Sequence, residues 1–144
     1  MTDQPRQTSD ERSTVVSMIC RLVAPFAQIF GLYVVMHGHS SPGGGFQGGV
    51  ILASSFILLA IADGIEEVRR RFSLKAMTVL TSAGVLLYAG IGVVCLALGA
   101  NFLDYGILPV SEPRSLGMLG IEIGVGITVT AAMVSIFHDL LSFE

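Results

Sequence analysis

The sequence has 144 residues, of which 52% are apolar and 13% charged, with a formal net charge of -3. A soluble domain typically carries about 25% charged residues, and a short chain leaves too much of its surface exposed to hide this apolar excess from water. The composition therefore excludes a water-soluble globular domain, and the lack of a basic cluster with interleaved aromatics excludes a nucleic-acid-binding module.

The chain opens on a polar segment, 1–14, that mixes Asp3, Arg6, Asp10, Glu11 and Arg12. It lacks the basic-then-apolar order and small-residue cleavage site of a signal peptide, so the first apolar run is expected to stay in the mature protein. A membrane-spanning helix needs about 20 mainly apolar residues to cross about 30 Å of hydrocarbon. Four runs meet this, at about 15–36, 46–62, 76–99 and 116–137. The first contains Arg21, Gln28 and Pro25, and Pro25 predicts a kink. The second stops at Asp63, and the fourth carries Glu122. The prediction is an all-α integral membrane protein. A polar segment at 1–14 precedes a four-helix membrane domain at 15–138, and a short tail follows at 139–144.

Arg6, Arg12, Arg69, Arg70, Arg71 and Lys75 fall on one side of a four-span chain and only Arg114 on the other. The excess of basic residues marks the cytoplasmic side. Both termini and the linker 66–75 are therefore expected in the cytoplasm, with linkers 37–47 and 101–115 facing outward. Cys20 and Cys95 lie inside apolar runs and read as small hydrophobes rather than as a disulfide or metal pair.

The stretch between the first two spans runs His37-Gly38-His39-Ser40-Ser41-Pro42-Gly43-Gly44-Gly45-Phe46-Gln47-Gly48-Gly49. Six glycines in so short a stretch cannot be a propensity-driven helix. They suit a closely packed turn, and Pro42-Gly43 sets it. Gly45, Gly49 and Ala53 continue at four-residue spacing, a pattern for close helix contact in lipid. A phosphate loop needs a lysine and a hydroxyl residue after the glycines; Phe46 and Gln47 stand there instead. His37 and His39 lack a nearby cysteine or carboxylate to complete a metal set, so hydrogen bonding at the interface is their expected role. No catalytic site, metal or cofactor is expected.

Glu122 is the one acid well inside a span, and such a group is expected to face protein or water rather than lipid. Its candidate roles are cation or proton contact and structural hydrogen bonding. Gly117, Gly120 and Gly124 form a small-residue packing face on the same helix, and Glu122 lies about 200° around from Gly120. It therefore addresses a different neighbour. Arg21 reads as snorkelling to the cytoplasmic interface, and Asp104 as a solvated loop acid with a secondary role in cation attraction. One carboxylate and one arginine are too few for a complete proton pathway.

The string from His37 to Gly49, between two apolar helices in a four-span chain, resembles the MnhB-type small subunit of the Mrp/Mnh-type multisubunit sodium/proton antiporters. The same module occurs in membrane arms of related respiratory complexes, including membrane-bound hydrogenases. Gly120-Ile121-Glu122-Ile123-Gly124-Val125-Gly126 echoes the glycine-rich fourth helix of that family, whereas the polar start is longer than the family's. The resemblance implies a small non-catalytic subunit in a prokaryotic cell membrane, supporting assembly and the sodium route among other subunits, with Na+ and H+ as the ions the complex transports. The alternative is a membrane-arm subunit of a redox complex of hydrogenase or formate-oxidising type. The chain holds no iron–sulfur or haem ligand pattern, so it would not touch electrons in either setting.

Overall fold

The computed structural model describes residues 6–141 apart from 39, 41–42, 65–69 and 71–72, and the side chains of 6–13 also lie outside the description. Four α-helices account for most of the chain: α1 Arg6–Met36, α2 Gly45–Asp63, α3 Leu74–Ala97 and α4 Pro113–Leu141. A short 3-10 turn, Tyr105–Ile107, lies between α3 and α4. All four helices are long and apolar enough to cross a membrane, α1 through Thr14–Met36. In lipid every backbone N–H and C=O must be satisfied within the fold, which helices achieve segment by segment. The chain is a multi-pass, all-α membrane protein. α1 starts at Arg6, within the polar segment, and runs on through Pro25 as one helix.

Local chemistry sets the helix ends. Gly64, at φ 88°, closes α2 and donates its N–H to the Ala60 carbonyl. That left-handed backbone suits a residue without a side chain. Ser73 caps α3, its Oγ accepting the Ala76 N–H at 3.3 Å. Pro113 opens α4 at the position where a missing N–H costs nothing.

The helices pack in the spatial order α1, α2, α4, α3. α1 and α2 form an antiparallel hairpin, with Gly31 against Gly48 and the Ser17 hydroxyl on the Ala62 carbonyl at 2.9 Å. α3 and α4 form a second, in which a Cβ on Gly84 would lie 2.5 Å from the Gly124 oxygen. The hairpins meet where α2 and α4 run side by side in the same direction. Gly45 touches the Glu122 backbone, Gly49 touches Gly126, and Thr130 Oγ1 lies 3.1 Å from the Gly49 carbonyl oxygen. Small residues fill the contacts: Ala24, Ala53 and Cys95 are fully enclosed, and Ala60 and Ala131 nearly so. Backbones can then approach closely, which is how helices associate in lipid without a hydrophobic drive. Large apolar side chains such as Met18, Leu22, Phe26 and Leu86 point outward.

Candidate functional site

The site assembles where the glycine turn meets α4. The N-cap of α2 is Gly44, in extended conformation with no side chain to offer the first-turn N–H groups. Those groups carry the positive end of the helix dipole. Glu122, nine residues into α4, supplies the missing acceptor from another helix: its Oε2 accepts the Gly45 N–H. A hydrogen bond to an ionised carboxylate is stronger than a neutral one, and a half-buried charge at membrane depth requires such a partner.

The glycines are what let the carboxylate in. A Cβ at Gly38 would lie 2.8 Å from the Glu122 carboxyl carbon, and one at Gly44 would lie 2.7 Å from Oε1. A Cβ at Gly45 would sit 3.0 Å from the Glu122 Cα. The structure thus brings Gly38, Gly44, Gly45 and Glu122 together. Gly48 turns to α1, under Val35 and Gly31, and Gly49 to α4. Gly43 lies beside Val34 and the Gln47 side chain. Phe46 and Gln47 are exposed and face away from the carboxylate's helix contact. His37 is exposed and stacks on Tyr33 with ring centroids 4.2 Å apart, its Nδ1 3.1 Å from the Tyr33 carbonyl oxygen. His39 and Pro42 lie outside the described residues.

On the other side of α4 the packing face is shared. Gly120 meets Ile91 and Gly124 meets Gly84, both on α3, while Gly117 carries the ring of Tyr105 from the linker between α3 and α4. Burial, then Tyr88, Cys95 and Glu122, raises the Tyr105 phenol above its ordinary 10.0. Asp104, beside it, is exposed.

Arg21 is remote from this cluster. Its Nε donates to Asp63 Oδ1 at 2.8 Å, toward the open end of the first hairpin, away from the glycine turn. Asp63 ends α2, where the helix dipole disfavours an anion, and the guanidinium offsets that. The sequence reading missed this pair. The signal was present, because folding 15–63 at the glycine turn places Ser17 opposite Ala62 and Arg21 one turn away. It named Gly126 only as part of the glycine-rich fourth helix and did not assign Gly126 or Thr130 to the contact with α2, although Glu122, Gly126 and Thr130 repeat the four-residue spacing of Gly45, Gly49 and Ala53.

A family model described as a domain related to the MnhB subunit of Na+/H+ antiporters matches residues 15–135. Proteins named antiporter subunit mnhB2 from Staphylococcus aureus strains Newman and JH1 are each 30% identical over 135 residues, covering 90% of this chain and 95% of theirs. Among solved structures, a chain of the membrane-bound sulfane sulfur reductase, an archaeal respiratory membrane complex, superposes with a TM-score of 0.69 at 27% identity. That match covers 88% of this chain and 57% of the other.

Proposed function

Because the chain belongs to the family of domains related to the MnhB subunit of Na+/H+ antiporters, we propose that it is a small non-catalytic membrane subunit of a multisubunit Na+/H+ antiporter. In this reading it sits in a prokaryotic cell membrane with both termini cytoplasmic, supports assembly with the other subunits, and contributes to the sodium route. The observation that carries the proposal is the clasp between Glu122 and the start of α2. It fixes the glycine turn against α4 and keeps a carboxylate at membrane depth. One oxygen is held by the Gly45 N–H, and the carboxylate retains further lone pairs for a passing cation. A hard oxygen donor suits an alkali cation, directly or through water.

The test separates clasp from route. Glu122→Gln keeps a carbonyl that accepts the Gly45 N–H but removes the charge; Glu122→Asp keeps the charge on a shorter arm. At matched levels of assembled complex in everted vesicles, ΔpH-driven exchange should show a weaker apparent sodium affinity in the Gln variant and a milder loss in the Asp variant. Unchanged exchange in the Gln variant at every sodium concentration would falsify the route and leave Glu122 as a structural clasp.

The likeness to a chain of a respiratory membrane complex favours a second reading, a membrane-arm subunit of a redox complex. Copurification decides between the two: iron–sulfur subunits in the purified assembly support the redox complex, and their absence from an assembly active in sodium exchange supports the antiporter.

A further inference from the structure

The first turn of α2 takes its acceptor from another helix. Gly44 has no side chain with which to cap it, and the Gly45 N–H goes to Glu122 Oε2. The other oxygen of the same carboxylate lies against both ends of the glycine turn. The positions that a Cβ on Gly38 and on Gly44 would occupy are 3.0 Å and 2.7 Å from Oε1. One half-buried side chain thus joins the end of α1, the start of α2 and the body of α4.

The groups around this junction leave its strength to Glu122 itself. No lysine or arginine among the described residues forms an ion pair with the carboxylate. Between Gly45 and Ala62, α2 carries no titratable side chain. α1 ends beside His37, which is exposed and stacked on Tyr33. The linker between α3 and α4 brings the exposed Asp104 and Tyr105, and α3 brings Tyr88 and Cys95 next to Tyr105. On α4 the nearest charge is Arg114, about two turns earlier. An ionised carboxylate makes a hydrogen bond roughly twice as strong as a neutral one, and the positive end of the α2 dipole attracts it. A proton on either oxygen removes that attraction. On Oε2 it also turns the acceptor into a donor that faces the Gly45 N–H.

We propose that the Glu122–Gly45 clasp is a proton-operated latch: it is closed while the carboxylate is ionised, and proton uptake by Glu122 frees the first turn of α2 from α4. The release stops one turn further in, where Thr130 Oγ1 lies 3.1 Å from the Gly49 carbonyl oxygen and neither group titrates. The latch rests on the reading of Glu122 as the ionic group of the sodium route, yet it works without sodium, so the two fail separately.

The test is amide hydrogen exchange on the assembled complex in sodium-free buffer, resolved to single residues by electron-transfer fragmentation mass spectrometry. Gly64 is the internal reference, because its N–H donates to the Ala60 carbonyl at 3.0 Å, an acceptor that does not titrate. Dividing the Gly45 rate by the Gly64 rate removes the intrinsic pH dependence of exchange. The ratio should rise about tenfold as the pH falls from about 8 to about 4, a range that takes in carboxyl and imidazole groups and stays below thiols and phenols. Glu122→Gln should give a high ratio that is flat with pH. Glu122→Asp, for use where the Gln variant assembles poorly, draws the carboxylate back by one methylene and should cut the rise severalfold. His37→Gln should keep the full rise. A flat ratio in the wild-type protein, an undiminished rise in either Glu122 variant, or a rise lost in His37→Gln overturns the latch. A flat wild-type ratio beside a lowered sodium affinity in the Gln variant removes the latch and leaves the route. A full rise beside unchanged sodium exchange in the Gln variant removes the route and leaves the latch.

Discussion

The carboxylate of Glu122 and the guanidinium of Arg21 are both ionic groups within spans, yet they meet different environments. Glu122 is half-buried and joined to a backbone N–H; Arg21 is 62% exposed on its side chain and joined to an Asp63 that is 17% exposed. The arginine side chain stays largely exposed while its Nε holds Asp63. The pair is therefore worth less than its 2.8 Å separation suggests, about 0.5–1 kcal/mol after solvent and headgroup screening. A double-mutant cycle of Arg21→Gln and Asp63→Asn, read from the thermal stability of the purified complex, should give a coupling in that range. A coupling near zero would leave the contact without energetic weight. Glu122 was legible in the sequence as the one acid deep in an apolar run, but its partner was not. The donor is the main chain of Gly45, and a main-chain donor carries no signature in the sequence. Asp63 was visible as the end of the second span and became a partner only once the hairpin was folded.

Each helix was legible from its apolar run, since about 20 such residues leave the chain few alternatives in lipid. Which helices touch was only partly legible. The spacing of Gly45, Gly49 and Ala53 announced a close contact, but small residues do not encode whose backbone they admit. The partner proved to be α4, remote in sequence and parallel, whereas Gly48, one position before Gly49, serves α1. This division makes the helix contacts separable by mutation. A Cβ at Gly48 would lie 2.7 Å from the Gly31 carbonyl oxygen and 3.0 Å from the Val35 nitrogen, both main-chain atoms that cannot swing aside. Gly48→Val should therefore destabilise the α1–α2 hairpin by about 1–3 kcal/mol and lower the yield of assembled complex. Gly90 on α3 has nothing within 4 Å of the same position, so Gly90→Ala should be neutral or gain up to about 1 kcal/mol in helix propensity. Immunodetection of assembled complex on native gels reads both. Equal yields for the two variants would remove Gly48 from the packing contact.

At the scale of the whole molecule, the proposed topology, with both ends of the chain on the cytoplasmic side, rests on four spans and the six-to-one division of basic residues. Native Cys20 and Cys95 are buried, so introduced thiols can be read above a low background. Ser111→Cys in the outer linker should label with an impermeant thiol reagent on whole cells, and Ser9→Cys only after the cells are opened. The reverse pattern inverts the topology. The order of the helices in space has a consequence for synthesis. The seam between α2 and α4 joins the first hairpin to the second, and 77 positions separate Gly49 from Gly126. At a translation rate of about 5–20 residues per second, the ribosome needs roughly 4–15 s to deliver the partner surface. For that interval the glycine face of α2 stands in the bilayer uncovered, open to the wrong helix as readily as to the right one. The newborn chain is therefore vulnerable along the strip that joins its two hairpins once it is complete.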